Sequence, residues 1–200
     1  YSTALYCLTR RAPVTGGQWV LVLGAGGGIG LATVDVARAL GARVVAAASS
    51  KEKLDAATAL GAEAVINYEE EDLKVRAREL TGGGPDVVVD PVGGRQAEPA
   101  LRALRWEGRY LVVGFAAGAI PRLPLNQVLL NSRAIIVVDW GAWSFRNPPD
   151  QRAMVVEVLD LVAQGRLHPV EPVAYPLERA ADALRDLEER RIAGKVVLVP

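Results

Sequence analysis

Residues 24–30 read Gly-Ala-Gly-Gly-Gly-Ile-Gly, and this loop constrains the fold more than any other part of the chain. It follows a short apolar run, residues 20–23 (Val-Leu-Val-Leu), which reads as a buried strand. It leads into residues 29–40, whose apolar side chains recur on a helical period, with Gly41 where a helix C-cap would sit. The loop does not fit G-x-G-x-x-G read from Gly24, because the sixth residue is Ile29. It does fit A-x-G-x-x-G from Ala25 and G-x-x-G-x-x-G from Gly24. The physics is the same in each register. Glycines permit a tight turn and close backbone approach, and a negatively charged group is then held at a helix N-terminus.

The rest of the chain alternates in the same way. Strands are predicted at residues 43–48, 64–67, 86–90, 109–113 and 134–139. Helices are predicted at 51–60, 70–80, 96–104 and 150–164, with one helical turn near 127–130. Strands alternating with helices of about ten residues imply a parallel sheet covered on both faces. Right-handed crossovers make it an α/β, Rossmann-type doubly wound sheet of six strands. The ends fit less well. Residues 1–11 read as a leading helix. Residues beyond 169 read as a short strand (173–175), a helix (177–190) and a terminal strand (195–199) whose partner is expected to lie outside this chain.

Composition narrows the function classes. In 200 residues, 23 Lys and Arg balance 23 Asp and Glu, which gives no general attraction to nucleic acid or an anionic membrane. Residues 12–34 carry no charge, but their prolines and glycines make a poor bilayer helix. One cysteine, Cys7, excludes an internal disulfide, and no Cys/His ligand run suggests zinc. A neutral chain with one cysteine and no visible signal segment fits a cytoplasmic enzyme, and the absent start methionine suggests a piece of a longer protein.

A dinucleotide is the expected ligand of the glycine loop, through its pyrophosphate. NAD recognition places an acid about 20 residues on, at the end of the second strand. Here that stretch is Ala47-Ala-Ser-Ser-Lys-Glu-Lys53, and no carboxylate ends the strand. Ser49, Ser50 and Lys53 offer donors and a positive charge, which suit the extra 2′-phosphate of NADP. The plainer alternative makes Ser50 a helix N-cap and Lys53 a solvated face residue. His168 reads as a surface-loop residue and Cys7 as a small core residue. The run of acids at residues 69–72 suits a solvated helix N-terminus, and Arg190 and Arg191 read as a charged helix end. Trp140 and Trp143 fit the core or the wall of a site equally well. Asp90 and Asp139 close different strands, and one histidine allows no Ser-His-Asp set, so no catalytic residue is named.

Five strings follow in order: the glycine loop, Asn67-Tyr68, Asp86-Val-Val-Val-Asp-Pro-Val-Gly-Gly94, Val112-Val-Gly-Phe115 and Gly194-Lys-Val-Val-Leu198. With Asp139-Trp-Gly-Ala-Trp143, they resemble the medium-chain dehydrogenase/reductase superfamily along the whole chain, and most of all its NADPH:quinone oxidoreductase (zeta-crystallin-like) branch. The resemblance implies that the backbone of Gly27, Gly28, Ile29 and Gly30 holds the pyrophosphate, and that Lys53 and Tyr68 hold the 2′-phosphate. Val113, Gly114, Phe115 and Trp140 would border the nicotinamide, with Thr3 facing the same region. Arg190 and Lys195 would reach the outer phosphates. It further implies NADPH-dependent hydride transfer to a quinone or an α,β-unsaturated carbonyl compound, without zinc. The same resemblance leaves open a zinc alcohol dehydrogenase, an enoyl-thioester reductase or a non-catalytic NADP-binding module. Residues 1–168 would be the NADP-binding domain. Residues 169–200 would be a tail returning to a GroES-like catalytic domain absent here, leaving this piece nearly inactive alone. The sixth strand is the expected edge for a homodimer.

Overall fold

The structure is a computed structural model that describes residues 1–189 and 191–200. The chain opens with α1 (Ser2–Tyr6), continued by a π-helical turn, Cys7–Arg11. There follow β1 (Trp19–Leu23), α2 (Gly28–Ala39), β2 (Arg43–Ala48), α3 (Lys51–Ala59) and β3 (Ala64–Asn67). The second half runs α4 (Leu73–Leu80), β4 (Val87–Asp90), α5 (Ala97–Ala103), β5 (Arg109–Val112), α6 (Leu125–Leu129) and β6 (Ala134–Val137). It ends with α7 (Trp140–Arg146), α8 (Pro148–Ala163), β7 (Val173–Pro176), α9 (Ala180–Glu188) and β8 (Val196–Val199).

β1 to β6 form one parallel sheet in the order β3-β2-β1-β4-β5-β6. This is the Rossmann order, with its reversal between β1 and β4. The pleat divides the core by parity. Val20, Val22, Val44, Ala46, Val87 and Val89 face one layer with α1, α2, α3 and α8. Leu21, Leu23, Val45, Ala47, Val88 and Tyr110 face the other with α4 and α5. Because both faces are covered, the strands read as unbroken apolar runs rather than alternating ones. No helix among the described residues is long and apolar enough to cross a membrane.

Two buried charges pin the periphery. The Asp35 carboxylate of α2 is fully buried and accepts from Tyr1 Oη (2.9 Å), Arg38 Nη2 (2.8 Å) and the His168 backbone N–H (2.5 Å). It thereby ties α1 and the segment after α8 to α2. Burial first, and Asp35 second, push the Tyr1 hydroxyl up. The His168 ring is half exposed, with Nδ1 3.0 Å from Arg38 Nη2. It sits beside the Asp35 turn, about 10 Å along α2 from the glycine loop. Arg133, just before β6, is buried and donates to the carbonyls of Arg102, Leu104 and Arg105 at the C-terminal end of α5. A cation there satisfies orphan carbonyls and suits the helix dipole.

Three expectations change. The sixth strand ends at Val137 rather than 139, because Asp139 is the N-cap of α7, accepting from the Ala142 N–H at 2.9 Å. The third helix starts at Leu73, with Asp72 as its cap, so the acids before it form a turn. The terminal strand has its partner inside the chain: β8 pairs in parallel with β7 as a separate two-stranded sheet.

Cys7 is fully buried, and burial pushes its thiol up from 9.0 to about 12. The folded state therefore holds this proton more tightly than the unfolded chain. Its contribution to stability is complete below about pH 9 and is lost as pH rises toward about 12. At pH 8 a thiol reagent should label the protein only when denaturant unfolds it, which absorbance titration of the single cysteine would measure. Arg133→Ala should lower unfolding free energy by about 1–3 kcal/mol, seen as a lower urea midpoint, because buried helix-end carbonyls lose their donor.

Candidate functional site

In a parallel sheet all strand C-termini share one edge, and a ligand crevice forms there at the strand-order reversal. The glycine loop occupies the β1 side of this crevice. Gly24 turns the chain with φ +57°. The Ala25 N–H bonds the Ala47 carbonyl at 3.0 Å, tying the loop to the end of β2. Gly27 is the N-cap of α2, is exposed, and supplies no side-chain cap. The first N–H groups of α2 therefore meet the crevice without a competing side chain. A Cβ on Gly30 would overlap the Gly24 carbonyl oxygen and lie 2.7 Å from Ala25 Cα, so only glycine lets α2 start this close to the turn. Ile29 is exposed and Gly28 half-buried.

Two lysines flank this helix start. The Lys53 stem, on the first turn of α3, packs so tightly on the loop that a Cβ on Gly26 would lie 2.5 Å from its Cγ. From the far end of the chain, Gly194 forms a parallel bridge with Gly27 and donates its N–H to the Gly26 carbonyl at 2.8 Å. Lys195 then lies over Gly28, its Cε 2.6 Å from where a Cβ would stand. Among the described residues neither ammonium has an ion-pair partner.

The ends of β2 and β3 complete that side. Ser49 and Ser50 follow β2, both half-buried. Ser50 is the N-cap of α3 in position, but its hydroxyl makes no cap bond. Tyr68 follows β3, with its backbone N–H 3.2 Å from the Ala48 carbonyl and its side chain packed against the α4/α5 layer. No carboxylate stands at the end of β2.

Across the reversal, the loops after β4 and β5 are zipped together. Ala116 and Ala117 donate to the carbonyls of Pro91 and Val92, and Gly94 donates to Ala119 (2.9–3.1 Å). Val113 and Gly114 both donate to the Asp90 carbonyl. Phe115 presses on Gly93, where a Cβ would lie 2.9 Å from its ring, and Val92 Cγ2 sits 2.5 Å from a Cβ position on Gly24. Val92 thus joins the two halves of the crevice, and the sequence did not single it out.

Thr3 is half-buried on α1, the helix beside α2. Trp140 is part of an aromatic cluster, 5.6 Å from Tyr6 and 5.2 Å from Trp143 between ring centroids, on the α1 side of β6. Arg190 lies outside the described residues. The Gly194 bridge joins positions more than 160 apart, so no local pattern signals it beyond the Gly-Lys pair before a terminal strand. The arrangement offers an uncapped helix start, two ammonium groups and a crevice with an apolar bridge, which suits an extended, multiply charged ligand. Among the described residues no group of three or more His, Cys, Asp or Glu is arranged to hold a metal.

Residues 28–163 match the family model described as zinc-binding dehydrogenase. The chain is 40% identical over 200 residues to quinone oxidoreductase-like protein 2 of Bos taurus, covering 99% of this chain and 57% of that protein. It is 33% identical to the 2-haloacrylate reductase of a Burkholderia species, over 99% of this chain and 60% of that protein. The chain therefore spans a little over half the length of these relatives. Among solved structures, Escherichia coli quinone oxidoreductase complexed with NADPH superposes on all of this chain and 62% of its own, with a TM-score of 0.91 and 30% identity. Sheet order, glycine turn and relatives agree, and the chain belongs to the zinc-binding dehydrogenase family, in the quinone oxidoreductase branch of the medium-chain dehydrogenase/reductase superfamily.

Proposed function

We propose that this chain is the NADPH-binding part of an oxidoreductase that reduces a quinone or an α,β-unsaturated carbonyl compound. The observation that carries the reading is the end of β2, where Ser49, Ser50 and Lys53 stand beside an uncapped glycine loop and no carboxylate is present. The residues fit the cofactor. The start of α2 at Gly27 to Gly30, exposed at Gly27 and Ile29, matches a pyrophosphate, with Lys195 above Gly28 as a counter-charge. Lys53, Ser49, Ser50 and Tyr68 match a 2′-phosphate. Val113, Gly114 and Phe115, after β5, border the nicotinamide end, with Thr3 and Trp140 on the α1 side. Arg190 remains a candidate for an outer phosphate. The similarity to an NADPH-complexed quinone oxidoreductase supports this reading.

When bound, NADPH supplies the hydride. This chain's residues orient it: the glycine loop holds the phosphates, and the loops after β4 and β5 form a wall that excludes water from one side. The quinone acceptor is supported by the names of two relatives, and the activated alkene by the similarity to 2-haloacrylate reductase. We place residues 1–168 as the cofactor domain and residues 169–200 as a tail that packs on a catalytic domain outside this chain. The exposed Val197, Leu198, Val199, Leu184 and Leu187 support that tail assignment. Turnover then needs that domain, and the chain alone binds cofactor with little or no activity. The whole protein acts on a small molecule in the cytoplasm, without nucleic acid or membrane as a partner.

We further place a homodimer contact at β6, the outer edge of the sheet, where Val137 is 60% exposed and its carbonyl accepts from Arg11 Nε at 3.0 Å. The Val138 N–H bonds inward to Val112, so by alternation that of Val137 points outward. Val137→Pro removes that outward donor and should shift the protein from dimer to monomer on size exclusion with light scattering. An unchanged dimer would reject this edge.

Fluorescence titration tests the cofactor assignment. NADPH should bind at least about tenfold more tightly than NADH, and Lys53→Ala with Tyr68→Ala should erase that preference by weakening NADPH alone. Equal or tighter binding of NADH by the wild-type protein would overturn the 2′-phosphate assignment.

A further inference from the structure

Asp90 ends β4 with only 2% of its surface exposed, a costly place for a carboxylate unless it is fully bonded. It is fully bonded. Oδ1 accepts from the backbone N–H groups of Val92 (2.7 Å) and Gly93 (2.8 Å), and Oδ2 accepts from the Tyr110 hydroxyl. Pro91, which has no N–H, separates the carboxylate from those two donors. Tyr110 is itself fully buried on β5. It stands opposite Val88, so it lies diagonal to Asp90 on the same sheet face.

The loop that Asp90 grips touches both halves of the crevice. Val92 sits against Gly24 on the phosphate side, and Gly93 and Gly94 sit against Phe115 and Ala117 on the other. Gly93 and Gly94 both have positive φ, +67° and +58°, which glycine adopts without strain and which turns the loop back over Asp90. The loop is held from beneath by the Asp90 carboxylate and its tyrosine, and from the β5 side by the N–H groups of Ala116 and Ala117.

We propose that Asp90 and Tyr110 are positioning residues that set the nicotinamide half of the crevice relative to the phosphate half. This rests on the NADPH-binding reading above. Neither side chain reaches the ligand; they act through the backbone of residues 91–94. The Tyr110 hydroxyl donates to Oδ2 and fixes the carboxylate's orientation, so that Oδ1 stays aimed at both loop N–H groups. Burial, with Asp90 second, holds the Tyr110 hydroxyl protonated and able to donate.

The test compares Tyr110→Phe and Asp90→Asn with the wild-type protein, using NADPH and 2′,5′-ADP as separate probes. The short probe occupies only the adenosine and 2′-phosphate side, on β1, β2 and β3. Asp90→Asn should weaken NADPH by about tenfold and leave 2′,5′-ADP within about twofold, and Tyr110→Phe should do the same to a smaller degree. A merely structural role would move both probes together or neither, and either result overturns the proposal. Tyr110→Phe keeps the core shape, so it remains readable if Asp90→Asn fails to fold. Failure of the wild-type protein to bind either probe would reject the NADPH reading instead, a result distinct from equal losses in the variants.

Discussion

The fold depends on one close approach. The Gly24 carbonyl oxygen occupies the space where residue 30 would carry a Cβ, so the first turn of α2 rests directly on the end of β1. Everything at the crevice is referred to that contact. It aims the free N–H groups of α2 over the sheet edge. It brings Gly26 against Lys53 and Gly28 against Lys195, which places two positive charges beside the positive end of the helix dipole. It also lets Val92 reach Gly24 across the strand-order reversal. A methyl group at residue 30 would lift the helix and disturb all of these together.

Three separate stretches of chain converge on that start of α2. The β2–α3 turn contributes Lys53, the β4 loop contributes Val92, and the last residues before β8 contribute Gly194 and Lys195. The first two are held by the sheet itself. The third is held by a backbone bond from Gly194 to Gly26 and by the pairing of β8 with β7. Opposite them, Asp35 ties α1 and the chain after α8 to the middle of α2 with a buried carboxylate that has three donors. The helix that follows the glycine turn is thus braced at its start and at its middle. A site held this way needs little reorganisation when a charged ligand arrives.

Much of this was legible in the residues. Apolar runs punctuated by glycine identified six strands, and their alternation with helices identified the doubly wound sheet, because local periodicity and glycine chemistry act over a few residues. The boundaries were less legible where one residue could serve two elements. Asp139 extends the apolar run of residues 134–138 and reads as its end, yet its side chain caps α7. The helix it starts contains Gly141 between two tryptophans, which hides the pattern. Ser50 shows the converse: it stands at the N-cap as its type suggests, but its hydroxyl makes no cap bond.

By itself the sequence determined the class of fold, the place of the glycine turn and the absence of an acid after β2, since each is a property of neighbouring residues. Only the tertiary structure decided what those features meet. Sheet register puts Tyr110 diagonal to Asp90, twenty residues away, and so decides that the acid of Asp-Pro-Val-Gly-Gly grips its own loop. Chain closure brings Gly194 to Gly26 and gives the terminal strand a partner, β7, inside the chain. These are long-range pairings, and their energy appears only once the chain has folded back on itself. No local pattern of residues encodes them.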